Sequence, residues 1–252
     1  NKNIRFYKNI NEINISNAFI FNSVPETSAN KSKLWQHFQG VEIETKENFF
    51  DDEIINLMDF NCDQRNDVHF FYTLPFSKNR ALIETTWLSN LNDSSLTDYN
   101  SQVKKYIEFN LGIKDYIIKY KEEGAIPLFY LQNKRERKKI NIGAAGGMTR
   151  LSTGYTFLNI QEHCKYIREK IGYIEKSKIY SIGNKYKFLD KIFLKVLKKY
   201  PEKMPNIFFK MFKCSANTII KFLSNKSNIF EDLLIISKMP KWIFIKALFR
   251  KT

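Results

Sequence analysis

"YTLPFSKNRALIETTWLS", residues 72–89, consists of two short apolar runs joined by a polar turn. Branched and aromatic residues bounded by Ser, Lys and Asn predict two strands of a hairpin. The second run carries a single carboxylate, Glu84. Strand alternation places Leu82, Glu84, Thr86 and Leu88 on one face, and Ala81, Ile83, Thr85 and Trp87 on the other. Two readings of Glu84 stay open from this segment alone. It is a solvent-facing carboxylate, as strand acids usually are, or it lies in an apolar cavity where desolvation raises its pKa and suits it to proton transfer.

Upstream of the hairpin, "AFIF" (18–21) and "LWQHFQGVEIE" (34–44) show the same strand signals, and "VHFFYTLPF" (68–76) covers the first arm. Residues 3–7, "NIRFY", also read as β-like. Downstream, 95–111 predicts a helix with Gly112 as its stop. "IPLFY" and "KKINIG" read as strands around the charged turn "QNKRERKK". "GAAGGMTRLSTG" is a glycine-rich loop opening into the helix "YTFLNIQEHCKYIREK". From residue 186 the pattern is helical. In "KFLDKIFLKVLKKY" apolar residues recur at spacings of one, three and four, with lysines opposite. "NIFFKMF", "NTIIKFLS" and "PKWIFIKALFRK" follow, with breaks at Pro201, Pro205 and Pro240. The chain is mixed α and β, sheet first and helices last. Its expected units are a β-rich region with one helix over 1–135, a strand–loop–helix over 136–172 and a basic helical region over 173–252.

The 252 residues carry a formal charge of +15, and residues 185–252 hold 16 Lys and Arg against four acids. Such a tail calls for an anionic partner, nucleic acid or anionic lipid. Its aromatic-heavy lysine helices lack an arginine-rich recognition pattern, which favours lipid and argues against nucleic acid. Cys62, Cys164 and Cys214 stand alone without CxxC spacing, the pattern of a reducing compartment rather than of a zinc or disulfide framework. A first residue of Asn and immediate entry into a β-like pattern suggest a chain that lacks an N-terminal part.

In "INIGAAGGMTRLSTGYTF" (140–157) a strand runs through glycines into a helix. That arrangement gathers backbone N–H groups at a helix N-terminus and attracts phosphate. Gly146 and Gly147 permit close approach to the main chain, and Ser152 or Thr153 can cap the helix. An ordinary capped loop is the alternative. His37, His69 and His163 lack metal-ligand spacing and read as core or surface residues. Asp59 in "LMDF" reads as a turn residue or as one that orients a neighbour.

Four segments in order resemble the lycopene cyclase family of flavoproteins, of the FAD-dependent bacterial beta-cyclase type. They are "LWQHFQGVEIETKENFFDDEIINLMDF" (34–60), "FFYTLPFSKNRALIETTWLS" (70–89), "GAAGGMTRLSTGYTFLNIQ" (143–161) and the helical tail. The resemblance implies the C-terminal part of a flavoprotein: an FAD/NAD(P)-binding Rossmann-like fold, an antiparallel substrate-binding sheet and a helical C-terminal region. Near residues 18–22 the family often has "FDSR", where this chain reads "FNSVP".

The implied chemistry is non-redox closure of the ends of lycopene into β-ionone rings, begun by adding a proton to a terminal double bond. Glu84 falls on the glutamate of the family's "LxExT" motif. A second acid often follows it, where this chain has Thr85. Gly146, Gly147, Met148, Thr149, Ser152, Thr153, Gly154 and Tyr155 fall on the segment that wraps the flavin, with Leu151 where proline is usual. Reduced FAD is the implied cofactor and NAD(P)H its reductant. Lycopene dwells in the bilayer, so the basic helices are expected to dock on anionic lipid, at the cytoplasmic face of the cell membrane. A related flavin-dependent oxidoreductase acting on a lipid and a non-catalytic membrane-binding fragment are the alternatives.

Overall fold

A computed structural model describes residues 5–8, 12, 18–25, 30–131 and 138–249. Five strands form an antiparallel sheet: β2 (Trp35–Glu44), β3 (Asn56–Asp59), β4 (Val68–Ser77), β5 (Arg80–Ser89) and β6 (Ile117–Pro127), in the order β3-β4-β5-β2-β6. The expected hairpin is β4–β5. β1 (Ile20–Asn22) lies apart, paired in parallel with β7 (Lys139–Asn141). Of "NIRFY", residues 5–7 form no strand and the rest lie outside the described residues, as does most of the "QNKRERKK" turn.

Register fixes the two faces of the sheet. Gly40 lies opposite Glu84 on β5 and opposite Glu122 on β6, and Tyr72 on β4 lies opposite Glu84. Residues directly opposite share a face, so Glu84, Gly40, Tyr72 and Glu122 form one row. Thr85 and Trp87 belong to the other face, with Phe71, Val41 and Ile43. That face is covered by α1 (Tyr99–Lys105) and the π-type turn Tyr106–Asn110, through Val103, Tyr106 and Ile107. Gly112 at φ +73° ends the turn, as expected. Tyr106 stacks on Phe71 at 4.0 Å and donates from its hydroxyl to Asp59 Oδ2 at 2.6 Å. Asp59 Oδ1 accepts from the backbone of Asn61, so this residue both forms a turn and orients a neighbour.

The Glu84 face buries its Val68, Phe70 and Leu88 end against the C-terminal helices. These are α3 (Asn184–Lys199), α4 (Met204–Phe212), α5 (Ala216–Leu223), α6 (Ile229–Lys238) and α7 (Lys241–Phe249), preceded by α2 (Phe157–Lys170). The expected α3 stripe is buried at Phe193, Val196 and Leu197. Pro201 opens a short 3-10 turn, Pro205 sits in the first turn of α4 and Pro240 precedes α7.

Three elements escaped the strand and helix patterns, the short β3 among them. β6 begins at Ile117, well before "IPLFY"; it is an edge strand whose Lys119, Lys121 and Glu123 are exposed, so it lacks an apolar alternation. α6 is closed at its start by a reciprocal cap between Asn228 and Glu231, a signal that "NIFE" carries. Among the described residues no helix is long and apolar enough to cross a membrane.

Candidate functional site

Glu84 is only 9% exposed. Burial pushes its carboxyl up to about 7, the nearby Glu122 adds to the rise, and the Thr86 hydroxyl, donating to Oε1 at 2.7 Å, partly offsets it. Glu84 is therefore buried rather than solvent-facing. Beside it, burial and the Glu84 carboxylate both hold the Tyr72 phenol above its ordinary range. The row is thus a weak acid next to a phenol that stays protonated, with Glu122 across Gly40.

Thr85 faces away. Its Oγ1 lies 2.8 Å from His69 Nε2 and 2.8 Å from Gln102 Oε1, which also accepts from Trp87 Nε1 at 2.9 Å. His69 stacks on Trp87 at 3.8 Å and donates from Nδ1 to the Asp63 carbonyl at 2.7 Å. His37 is held between Tyr99 and Ser89. Burial pushes both imidazoles down to about 4, so they are neutral core residues. His163 is also buried, stacked on Tyr180. Among the described residues no histidine, cysteine or carboxylate cluster fits a metal.

The glycine loop divides differently from expectation. Gly146, Gly147 and Thr149 line a 310 Å³ cavity with Pro127, Phe129 and Tyr130. Gly147 has φ +76° and nothing within 4 Å of the place a Cβ would take, which leaves the main chain open to a ligand. The loop's N–H groups, however, are not bare. Those of Gly146, Gly147 and Met148 bond back to Ile142, Ala144 and Gly143, and those of Arg150, Thr153 and Gly154 close the next turn. The reason is steric: the turn is so tight that a Cβ on Gly146 would lie 2.6 Å from the Asn141 carbonyl.

Met148 is fully buried. Neither Ser152 nor Thr153 caps α2; Thr156 occupies the cap position without a side-chain bond. Thr153 Oγ1 instead accepts from the Tyr155 N–H at 3.4 Å. Ser152 Oγ is buried without a partner among the described residues and lines an apolar 330 Å³ cavity between α3, α6 and α7. Gly154, at φ +71°, lies against Gln36 so closely that a Cβ would sit 1.7 Å from Oε1. Gln36 shares the Glu84 face, four residues from Gly40, roughly 13 Å along β2. The loop and the carboxylate therefore occupy one face of one sheet.

The residue that fixes the loop was not among the expected ones. Arg150, fully buried, bonds Asp190 of α3 through Nη2 at 2.9 Å and donates from Nη1 to the Phe222 carbonyl at 2.6 Å. Its guanidinium stacks on Tyr186 and Phe222. The Leu151 N–H donates to Asp190 Oδ2 at 3.1 Å, a bond that proline at this position would remove. A lone Arg in a glycine loop and a lone Asp within an apolar helix stripe were the sequence signals.

On the other side of Leu151 and Phe129, a 910 Å³ cavity has Leu34, Leu128 and Leu151 in its lining. Seven lysines also line it, Lys33, Lys191 and Lys198 among them, and no acid does. α6 and α7 leave Phe230, Leu233, Trp242 and Phe249 exposed.

A sequence profile described as lycopene cyclase protein matches residues 7–248. No curated protein sequence matches the chain. Among solved structures, a geranylgeranyl bacteriochlorophyll reductase-like protein from Thermoplasma acidophilum is similar at 14% identity with a TM-score of 0.50. The similarity covers 86% of this chain and 54% of that one. The chain thus spans about half the length of that relative. VirX1 in its apo form gives a TM-score of 0.33 at 11% identity, over 84% of this chain and 37% of that one.

Proposed function

Because the chain belongs to the lycopene cyclase family, we propose that it closes the ends of lycopene into β-ionone rings, with Glu84 handling the proton. The observation that carries this reading is a carboxyl, buried in a sheet, whose pKa is lifted to about 7. A hydrocarbon offers no polar handle, so the acid must be strong enough to protonate an alkene yet still protonated near neutrality. Desolvation of Glu84 meets the second requirement, and exclusion of water keeps the cation from being captured before the ring closes. Tyr72, directly opposite on the neighbouring strand, puts an aromatic ring beside the place where positive charge would form.

Gly146, Gly147 and Thr149 are the residues that would hold the edge of a flavin, in the cavity where Gly147 opens the main chain. Reduced FAD, supplied with electrons by NAD(P)H, would bring negative charge near a cation without net redox change. Substrate delivery would come from the membrane, at its cytoplasmic face. The exposed aromatic residues of α6 and α7, with Lys238, Lys241 and Lys246, suit an anionic interface.

Expression with lycopene in a lycopene-accumulating bacterium tests the reaction. Cyclic carotenes are expected, with Glu84→Gln reducing them about 100-fold or more. Full activity in that variant would remove Glu84, and oxygen uptake in step with product would favour an oxidoreductase. Flotation with anionic and neutral vesicles tests docking; equal binding to both would contradict it.

A further inference from the structure

Gly40 lies in the middle of β2, where a glycine weakens a strand and marks a close approach. Its cross-strand partners are Glu84 on β5 and Glu122 on β6, all on one face. A Cβ at Gly40 would lie 3.1 Å from Glu122 Cγ, 3.2 Å from Glu122 Oε1 and 3.0 Å from Leu82 Cδ1. The Glu122 side chain therefore leans over the bare strand toward Glu84. Their backbones stand roughly 10 Å apart, two strand spacings, with no side chain between them in that row.

Glu122 is also uncommitted. Glu42, one step along the same face, is paired with Arg80 at 2.5 Å. Among the described residues no Lys or Arg forms an ion pair with Glu122, although it is half-buried. Lys119, on the same strand, pairs with Glu44, and Lys121 reaches Asn100. The groups facing Glu84 are thus Tyr72 from β4 and Glu122 from β6, with the Glu42–Arg80 pair and Tyr120 in the next row.

We propose that Glu122 is the base of the cyclisation, completing across Gly40 the acid pair that the sequence lacks at position 85. This rests on the cyclase reading above. Glu84 gives its proton to the terminal alkene, whose π pair forms the new C–H bond and leaves a carbocation. The neighbouring alkene's π pair forms the ring C–C bond. Glu122 then removes a proton from the carbon beside the ring cation, and that C–H pair becomes the ring double bond. Passage of the proton from Glu122 back to Glu84 resets the pair, and the product is an isomer of the substrate.

The test compares the full chain carrying Glu122→Gln, Glu122→Asp or Glu84→Gln in lycopene-accumulating cells. Thermal unfolding verifies that each is folded. Glu122→Gln is expected to lower ring formation about 100-fold or more, and Glu122→Asp to recover at least about 10-fold of it. In purified Glu122→Gln protein the Glu84 titration should move to lower pH, because a neighbouring negative charge has gone; a packing role would not move it. Ring formation by Glu122→Gln within about twofold of wild type, or Glu122→Asp no better than Gln, overturns the assignment. Absence of rings in wild type as well would instead overturn the cyclase reading.

Discussion

The five-stranded sheet buries titratable groups on both faces, and burial drives them in opposite directions. Under α1, His37 and His69 are pushed down to about 4 and sit in hydrogen bonds with Tyr99, Ser89, Thr85 and the Asp63 carbonyl. On the reverse face Glu84 is pushed up to about 7, beside a bare glycine and a second carboxylate. The first arrangement holds neutral bases in place and leaves them no chemistry. The second holds a buried acid whose neutral form is favoured, next to a second carboxylate. Two adjacent residues, Glu84 and Thr85, therefore have unrelated tasks, because a strand sends neighbours to opposite sides.

That contrast breaks most readily at position 85. Thr85→Glu restores the double-acid motif in sequence, yet the new carboxylate would enter the His69–Gln102–Trp87 network. A loss of about 3–5 kcal/mol in chemical denaturation is expected, and no gain in ring formation. A stable, more active variant would mean that the alternation is misassigned. Arg150→Met tests the tether between the sheet and the helices. It leaves Asp190 buried and unpaired, and a loss at the lower end of about 3–5 kcal/mol is expected. A double variant with Asp190→Leu should recover part of that loss.

The pH dependence of stability separates the faces. A histidine depressed from 6.5 to about 4 stabilises the fold above 6.5, and that stability is lost as pH falls through about 4. Each imidazole is worth about 3 kcal/mol over this window. A carboxyl raised from 4.5 to about 7 contributes fully below 4.5 and loses about 3 kcal/mol as pH climbs through 7. The two windows overlap with opposite slopes: His69→Gln should remove a rise in stability between about pH 4 and 6.5, and Glu84→Gln a fall between 4.5 and about 7. Opposite assignments in denaturant titrations would show that the faces are misread.

Much of this was legible from residues 72–89. The hairpin, the alternation and the candidacy of Glu84 all follow from a period of two. Its burial does not, because what covers Glu84 comes from Tyr72, Glu122 and distant segments. Glu122 itself was hidden in an edge strand whose other charges face solvent. The glycine loop was recognisable as a loop, but its N–H groups serve its own turns, which spacing cannot reveal. The Arg150–Asp190 pair joins residues 40 apart and is visible only once α3 packs beside the loop.

The most direct test is the titration of the Glu84 carboxyl in the intact chain, read as the infrared carbonyl band of the protonated acid that Glu84→Gln abolishes. A midpoint near 7 is expected, with the band still strong at pH 6. A midpoint near 4.5, the ordinary value of a glutamate in water, would contradict a buried acid and with it the proton chemistry assigned to this face.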